Sequence, residues 1–268
     1  MTHAKQLNVG ISGVGLLGPG LNNWTEGVPL LRTPSDWTSA PTMLPTPDRL
    51  PPTERRRASV AVKAAVVVAD QACAMAGIDA AGVATVFTSA SGDPAICHAT
   101  CEALAKPERV VSPTRFTNSV HNAPAGYWHI AVQSRRASTS LAAHDASANA
   151  GLLEAAVQCT ATRAPVLLVV CDMPYPVPLH ALRPLPDVFA FALLLVPSPS
   201  PAAWRLQVGV ARAGAPARCD GEALERLRQA IPAARGLPLL QALARNQGAS
   251  MIVEAGGLDL VLQVNPTA

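Results

Sequence analysis

Two short segments in the middle of the chain constrain the fold most, because they are almost entirely apolar. Residues Pro165 to Cys171 read PVLLVVC, and residues Phe189 to Val196 read FAFALLLV. Neither segment alternates between apolar and polar residues, as a strand with one face in water does. Such runs are typical of strands at the centre of a sheet that helices cover on both faces. We therefore predict an α/β fold with a layered α-β-α core.

Strands and helices alternate along most of the chain. Leu7 to Gly18 predicts a first buried strand, and residues 33–52, rich in proline, predict an irregular loop. A helix is predicted to begin at Thr53 and to end at Gly77, because apolar residues recur there at steps of three and four. Further strands are predicted at 83–89, 138–143 and 204–210, helices at 93–104, 123–132, 146–160, 220 onward and 238–246, closing strands after them, and extended chain at Pro113 to Phe116.

The segment Pro197 to Pro201 reads PSPSP and interrupts this alternation. Proline and serine at this density indicate a break between structural units. We predict one domain over residues 1–197 and a short C-terminal α/β extension over residues 198–268, packed on the same core.

The charge pattern argues against several classes of partner. The formal net charge of the 268 residues is +3, and the longest basic run is Arg55 to Arg57. Neither nucleic acid nor an anionic membrane is indicated. No apolar run reaches the length of a membrane-spanning helix, and no signal peptide is recognised at the start. We expect a soluble, cytoplasmic protein.

Two local patterns resemble binding motifs but lack the context that these motifs need. Residues Gly13 to Gly18 match GxGxxG, yet the βαβ unit with its terminal acid is missing, so no dinucleotide cofactor is predicted. Cys97 and Cys101 are four residues apart, but two further ligands at zinc spacing are missing, so no metal is predicted. The six cysteines fit reduced, mostly buried thiols.

Several segments, in the right order, resemble β-ketoacyl synthases. Val9 to Gly18, followed by Trp24 and Gly27, resembles the first strand and turn of these enzymes, and Leu50 to Ser59 resembles the family helix that follows. Ser112 to Trp128 is similar to a short ketosynthase-like family encoded with aryl polyene and xanthomonadin-type pigment pathways, whose members resemble chain-length factors. The resemblance covers roughly residues 1–197 and implies the N-terminal half of a thiolase-like fold.

The resemblance also locates a missing nucleophile. In active ketosynthases the strand at residues 138–143 leads to a cysteine at the start of the next helix, and counting from Ala125 and Gly126 places that position on Asp145. A carboxylate is a poor nucleophile towards thioesters, whereas a thiolate at a helix N-terminus is a good one. We expect Asp145 to cap the helix through its side chain.

A second difference from the family lies in the C-terminal part. Active members carry a histidine pair there that assists decarboxylation, but the last histidine of this chain is His180. The resemblance therefore implies a non-catalytic, chain-length-factor-like subunit that pairs with a full-length ketosynthase and works on acyl carrier protein. Arg55 to Arg57 are then either a solvated helical turn or a docking site for the acidic carrier. Residues expected at the interface or the acyl tunnel are Phe116, Asn118, His121, Asn122, Ser138, Ser140 and Ala142.

Two other functions remain open at the level of sequence. One is an acyl-thioester hydrolase or transferase that uses His121 or His144 as a base, oriented by Asp145. The other is a homodimeric scaffold that holds acyl carrier proteins. A structural hydrogen bond is the simpler role for each of these histidines.

Overall fold

The computed structural model describes residues 6–211 and 214–267, and its strands form a single mixed sheet. The strand order is β3-β2-β4-β5-β1-β6-β8-β7. The strands are β1 Leu7–Leu17, β2 Ala84–Thr88, β3 Ser138–Leu141, β4 Val166–Asp172, β5 Phe189–Pro197, β6 Trp204–Val210, β7 Ala249–Glu254 and β8 Asp259–Pro266. The α-helices are α1 Trp24–Arg32, α2 Pro52–Arg57, α3 Val60–Ala76, α4 Pro94–Ala105, α5 Pro113–Asn118, α6 Ala123–Val132, α7 Ser147–Thr162, α8 Glu222–Ala230 and α9 Leu237–Arg245.

The two apolar segments are adjacent strands at the centre of the sheet, as predicted. Strands β4 and β5 pair antiparallel, and every residue of β4 is buried. Side chains alternate between the faces of a strand. Leu167 and Val169 thus pack in the core layer that contains α3 and α6, whereas Leu168 and Val170 pack in the layer that contains α7 and α9. This arrangement confirms the layered α-β-α architecture.

The parallel part of the sheet lies at one end. Strand β2 pairs in parallel with β3 on one side and with β4 on the other. The carboxyl ends of these three strands therefore meet at one edge of the sheet, where ligands bind in open α/β folds. Strand β3 is short and terminal in the strand order, so one of its sides has no neighbouring strand among the described residues.

The glycines of the GxGxxG pattern serve the packing of α3 against β1. A Cβ atom on Gly13 would lie 2.0 Å from the carbonyl oxygen of Ala72, and one on Gly15 would lie 2.0 Å from that of Val68. Both distances are far inside van der Waals contact, so only glycine lets the helix approach the strand this closely. The glycine pattern is thus explained by contact between helix and sheet.

Two sequence predictions in the first half of the chain are wrong. The segment predicted as extended, Pro113 to Phe116, is the helix α5, because proline suits the first position of a helix, where its missing N–H is not needed. The helix predicted to begin at Thr53 is two helices, α2 and α3. Ser59 caps the second of them by accepting a hydrogen bond from the Val62 amide at 3.3 Å. Gly77 ends α3 with a left-handed φ of 62°, as predicted.

The last seventy residues extend the same sheet. Strand β6 pairs antiparallel with β1, from Leu7 to Ile11, and β8 and β7 follow outward. Helices α8 and α9 pack in the same core layer as α7. The chain after residue 197 therefore shares both a sheet and a core with the chain before it.

Candidate functional site

A sharp turn connects β3 to α7 at the carboxyl edge of the parallel strands. We call residues 143–147 the elbow. Its backbone is held by Ser147, whose Oγ accepts from the Ala143 amide at 2.9 Å and donates to the His144 carbonyl oxygen at 2.6 Å. His144 has a φ of 52°, in the left-handed region that disfavours side chains. The elbow is therefore a strained strand-to-helix turn that its own serine stabilises.

Asp145, predicted to cap α7, binds two arginines instead. Arg183 donates to its Oδ1, and Arg235 donates to its Oδ2 at 3.0 Å. The N-cap position of α7 is Ala146, which makes no side-chain capping bond. The capping prediction is wrong because two charged donors hold the carboxylate more strongly than neutral backbone amides would.

Arg183 makes further contacts at the elbow, and its charge also acts on a second carboxylate that lies deeper in the protein. Its Nη1 donates to Nε2 of His144 at 3.0 Å, and its guanidinium lies 6.0 Å from the ring centre of Tyr175. Asp172, at the end of β4, is fully buried. Burial raises the pKa of Asp172 to about 6. Hydrogen bonds from Ser89, Ala90 and Ala233 and the charge of Arg183 lower this pKa, but by less than burial raises it.

Segments from the C-terminal part cover the elbow. Arg235 belongs to a short 3-10 helix at Pro232–Gly236, and its second contact is with Glu254 at 3.8 Å. Asn149, in the first turn of α7, donates to the Glu254 carbonyl oxygen at 2.9 Å. The turn between β7 and β8 is therefore tied to both the elbow helix and Arg235.

The cysteine that follows the elbow is unsuited to nucleophilic chemistry. Cys159 lies on α7 and is buried, and this burial raises the pKa of its thiol to about 11. Cys171 is buried beside Asp172, and its pKa is also raised well above the usual value for a thiol. The two exposed thiols, Cys97 and Cys101, lie on α4. Among the residues that the structure describes, no group of three or more His, Cys, Asp or Glu side chains is placed to hold a metal ion.

The two candidate histidines have different surroundings. His121 is exposed, and its Nε2 lies 3.4 Å from the Ser89 carbonyl oxygen. His144 is 74% exposed and its Nδ1 lies 3.5 Å from Asp145. Because Arg183 donates to Nε2 of His144, that nitrogen is already engaged as an acceptor. The geometry thus gives no preference to a hydrolase or transferase that uses these groups.

An open groove of about 460 Å³ runs along β3 and α6. Its floor is organised by a chain of hydrogen bonds in which Thr85 Oγ1 lies 3.0 Å from Nε2 of His129 and donates to Ser138 at 2.8 Å. Burial lowers the pKa of His129, so this ring is neutral near pH 7. The residues that line the groove are Asn122, Ala125, Gly126, His129, Ser138 and Ser140. The predicted interface residues Asn122, Ser138 and Ser140 therefore lie together, with Ala142 exposed just beyond the end of β3.

The residues between β2 and α6 expose several apolar side chains, and this segment ends at Asn122, which lines the groove. We call residues 93–122 the arm; it contains α4 and α5. In α4 only Pro94 is buried, although most of the helix is apolar. The exposed apolar side chains of the arm include Leu104 at 50%, Val110 at 74%, Phe116 at 64% and Val120 at 47%. Exposed apolar side chains in such number are typical of surfaces that bind another protein.

One predicted interface residue holds the arm from inside. Asn118 is 3% exposed, donates to the Arg57 carbonyl oxygen at 3.0 Å and accepts from the Tyr127 hydroxyl at 3.0 Å. Asn118 therefore fixes α5 to α2 and α6, whereas Phe116, His121 and Asn122 are on the surface.

Sequence reasoning missed the residues that surround Asp145. Asp172 could have been singled out from the sequence, since it is the polar end of an almost fully apolar strand. No sequence pattern pointed to Arg183 and Arg235, because they are 38 and 90 residues from Asp145 and belong to no local motif. An open groove of about 540 Å³ lies at the opposite end of the sheet, between β7 and α9.

The comparisons with known proteins agree with this geometry. Residues 32–255 match the family described as Beta-ketoacyl synthase, N-terminal domain. No curated protein matches the chain. Within the described residues, no helix is long and apolar enough to cross a membrane.

Solved structures with a similar fold are ketosynthases and their complexes. A chain of the ketosynthase ApeO in complex with its chain length factor ApeC from Xenorhabdus doucetiae is 22% identical, with a TM-score of 0.71; 96% of this chain and 99% of that chain are covered. The ishigamide ketosynthase/chain length factor is 13% identical, with a TM-score of 0.73 and coverage of 97% and 100%. A type II polyketide synthase complex, AntDE:AntF, is 11% identical, with a TM-score of 0.72 and coverage of 98% and 100%. This chain therefore belongs to the β-ketoacyl synthase N-terminal domain family and has a thiolase-like fold.

Proposed function

We propose that this chain is a non-catalytic, chain-length-factor-like subunit that pairs with an active β-ketoacyl-ACP synthase in polyketide or fatty-acid-type chain elongation. One observation carries the proposal. The elbow, where the family resemblance places the nucleophile, holds a carboxylate that two arginines of the same chain neutralise.

The chemistry of condensation explains why this matters. The acyl chain must first move from a thioester to a soft nucleophile. Asp145 is a hard carboxylate whose two oxygens each accept from a guanidinium, so its electron density is already engaged. The C-terminal part after residue 197 also contains no histidine to assist decarboxylation.

The surface beside the elbow supports a partner subunit. Strand β3 is an edge strand, and an unpaired edge favours pairing with another chain. The groove next to it is lined by small side chains of Ala125 and Gly126, which allow close approach of a second backbone. The arm, which ends at the groove-lining Asn122, adds exposed apolar area. We therefore assign β3, the groove and the arm to the interface with the synthase.

Phe116 is the strongest candidate for a tunnel residue. Its side chain is 64% exposed on α5, although phenylalanine is among the residues most costly to leave in water. In the proposed heterodimer this ring reaches into the partner and limits the length of the growing acyl chain. The similar structures that contain a chain length factor are consistent with this role.

A basic surface at the base of the arm fits an acidic acyl carrier protein. Arg55 to Arg57 form the last turn of α2, and Arg115 lies on α5, which Asn118 fastens to α2. Arg56 and Arg115 are exposed, and neither forms an ion pair with any residue that the structure describes. We place carrier docking there. The similarity of Ser112 to Trp128 to pigment-pathway proteins points to an aryl polyene as the product class.

Co-expression with a cognate β-ketoacyl synthase tests the proposal. Size-exclusion chromatography with light scattering measures the stoichiometry, and incorporation of malonyl units into carrier-bound acyl chains measures the activity. We expect a one-to-one complex that elongates, a synthase that is inactive when prepared without this chain, and no acyl-thioester turnover by this chain alone.

Three results would contradict the proposal. The first is acyl-thioester hydrolysis or transfer by the isolated chain that is lost in Asp145→Ala, which would indicate an enzyme. The second is a stable homodimer that does not exchange for the synthase, which would indicate a scaffold. The third is full elongation by the synthase without this chain.

A further inference from the structure

Asp145 lies between two arginines that come from distant parts of the chain. Arg183 belongs to the loop between β4 and β5, and Arg235 belongs to the 3-10 helix before α9. Each guanidinium donates to a different oxygen of the carboxylate. Planar, charged donors on both oxygens are the arrangement by which arginines recognise a small carboxylate of any origin.

Contacts other than Asp145 hold both arginines in place. Arg183 donates to His144, lies over the ring of Tyr175 and has its Nε buried. Arg235 reaches Glu254 at 3.8 Å. Their side chains are only 28% and 25% exposed. The two guanidinium groups are therefore positioned by their surroundings as well as by the carboxylate between them.

We propose that Arg183 and Arg235 form a carboxylate-binding site that the chain fills with its own Asp145. The filled site fastens two segments, residues 173–188 and residues 231–258, onto the elbow. This inference goes beyond the proposed function, because it holds whether or not the chain pairs with a synthase.

Charge repulsion and the contacts of Arg235 explain how the filled site holds the two segments on the elbow. Two half-buried cations at one place repel each other unless an anion lies between them. Asp145 supplies that anion and, through Arg235 and Glu254, connects the elbow to the turn between β7 and β8. Asn149 makes the parallel connection from α7 to the same turn. Without the carboxylate, we expect both segments to loosen and the arginine pair to accept a carboxylate from solution.

Removal of the side chain and its replacement by a free anion test this directly. The full chain carrying Asp145→Ala is compared with the wild-type chain by hydrogen exchange, in sodium formate and in sodium chloride at equal ionic strength. In chloride, we expect amides of residues 173–188 and 231–258 to exchange about tenfold faster than in the wild type. In formate, most of this protection should return and the melting temperature should rise.

A matched control separates this site from ion pairs in general. Asp48 pairs with a single arginine, Arg55, and its side chain is 88% exposed. Asp48→Ala should leave exchange in both segments unchanged, and formate should have no greater effect on it than chloride.

Two results would overturn the proposal. One is wild-type exchange in both segments of Asp145→Ala. The other is faster exchange to which formate gives no more protection than chloride, which would mean that lost packing is the cause. If Asp145→Ala does not fold, Asp145→Asn decides, because it keeps the shape and removes the charge. We expect intermediate exchange that formate does not change, and exchange equal to wild type would refute the site.

Discussion

The elbow and the groove beside β3 lie next to each other, but they differ in whether their side chains find partners within the chain. At the elbow the charged groups find partners within the chain, since Asp145 binds Arg183 and Arg235. At the groove and the arm, apolar side chains and a strand edge face solvent. The elbow is thus closed by the chain itself, whereas the groove is open to another chain.

This difference is the physical basis of the proposed function. At the elbow, the charged groups pair with other groups of the same chain, so these interactions form without a substrate or a partner. The exposed apolar side chains of the arm gain free energy only when another surface covers them, about 1.5–3 kcal/mol for one fully buried phenylalanine. Under the proposed function, this part of the molecule serves contact with the partner subunit rather than chemistry.

The largest effect is expected from a substitution that blocks the groove. Gly126 lines the groove on α6, and a Cβ atom there would meet nothing within 4 Å, so Gly126→Arg should fold normally. In the complex it places a large cation in a closed interface, which should weaken binding by about 1,000-fold. Isothermal titration calorimetry with the partner synthase measures this.

Gly82→Arg is the matched control for that substitution. Gly82 is exposed, has no atom within 4 Å of its Cβ position and lies in the 3-10 helix before β2, and it does not line the groove. The control should bind like the wild type. Equal affinity of the Gly126→Arg and wild-type chains would remove the groove from the interface.

The next largest effect concerns the buried carboxyl group of Asp172, whose contribution to folding stability depends on pH. The pKa of Asp172 is raised from 3.8 to about 6, mainly by burial. Between these two values the folded state holds its proton while the unfolded state has lost it. Folding stability therefore falls as pH rises through this window, by about 3 kcal/mol from this group.

Asp172→Asn tests that assignment, because asparagine does not titrate. Chemical denaturation of both proteins between pH 4 and pH 7 gives the difference in the free energy of unfolding, from which all other groups cancel. The wild type should lose stability relative to the variant as pH rises. A constant difference across the range would mean that Asp172 is not the titrating group.

A smaller effect is expected from the exposed ring of the arm. Phe116→Ala should change the free energy of unfolding by less than about 0.5 kcal/mol, since the ring is 64% exposed. In the complex it should shift the products towards longer chains, which mass spectrometry of carrier-bound acyl groups detects. Val110→Ala, at a more exposed position of the arm, should leave the distribution unchanged. An unaltered product length in Phe116→Ala would exclude the ring from the tunnel.

The smallest effect is expected where a nucleophile is put back. Asp145→Cys restores a thiol at the elbow, but no histidine follows residue 180 to assist decarboxylation. The isolated variant should therefore form no condensation product from acyl and malonyl carrier protein. A working synthase from this single change would show that the elbow is closer to catalysis than its ion pairs suggest.

Local sequence patterns predicted the centre of the fold because local forces determine it. The apolar runs of β4 and β5 can only be buried, and Gly77 ends α3 in the conformation that glycine favours. The same reasoning failed at Pro113, since proline at the start of a segment fits both a helix and extended chain.

Local rules failed at the elbow for a different reason. Aspartate before a helix is a good N-cap, so the sequence offered a complete explanation of Asp145 without the arginines. Arg183 and Arg235 reach it only because the sheet brings the segments after β4 and before α9 to one edge. Asn118 was placed at the interface from its neighbours, but its side chain turns inward to Arg57 and Tyr127.

The pairing of β6 with β1 limits how this chain can be shortened. Residues Leu7 to Ile11 form an inner strand because β6 lies beside them. A fragment that ends at Pro197 would lack β6, so the stretch of β1 that carries Val9 and Ile11 would become a second unpaired edge of the sheet. Unpaired edges of this kind can pair with the same strand of other copies of the chain. Such a fragment would be expected to collect in inclusion bodies when it is produced without the last seventy residues.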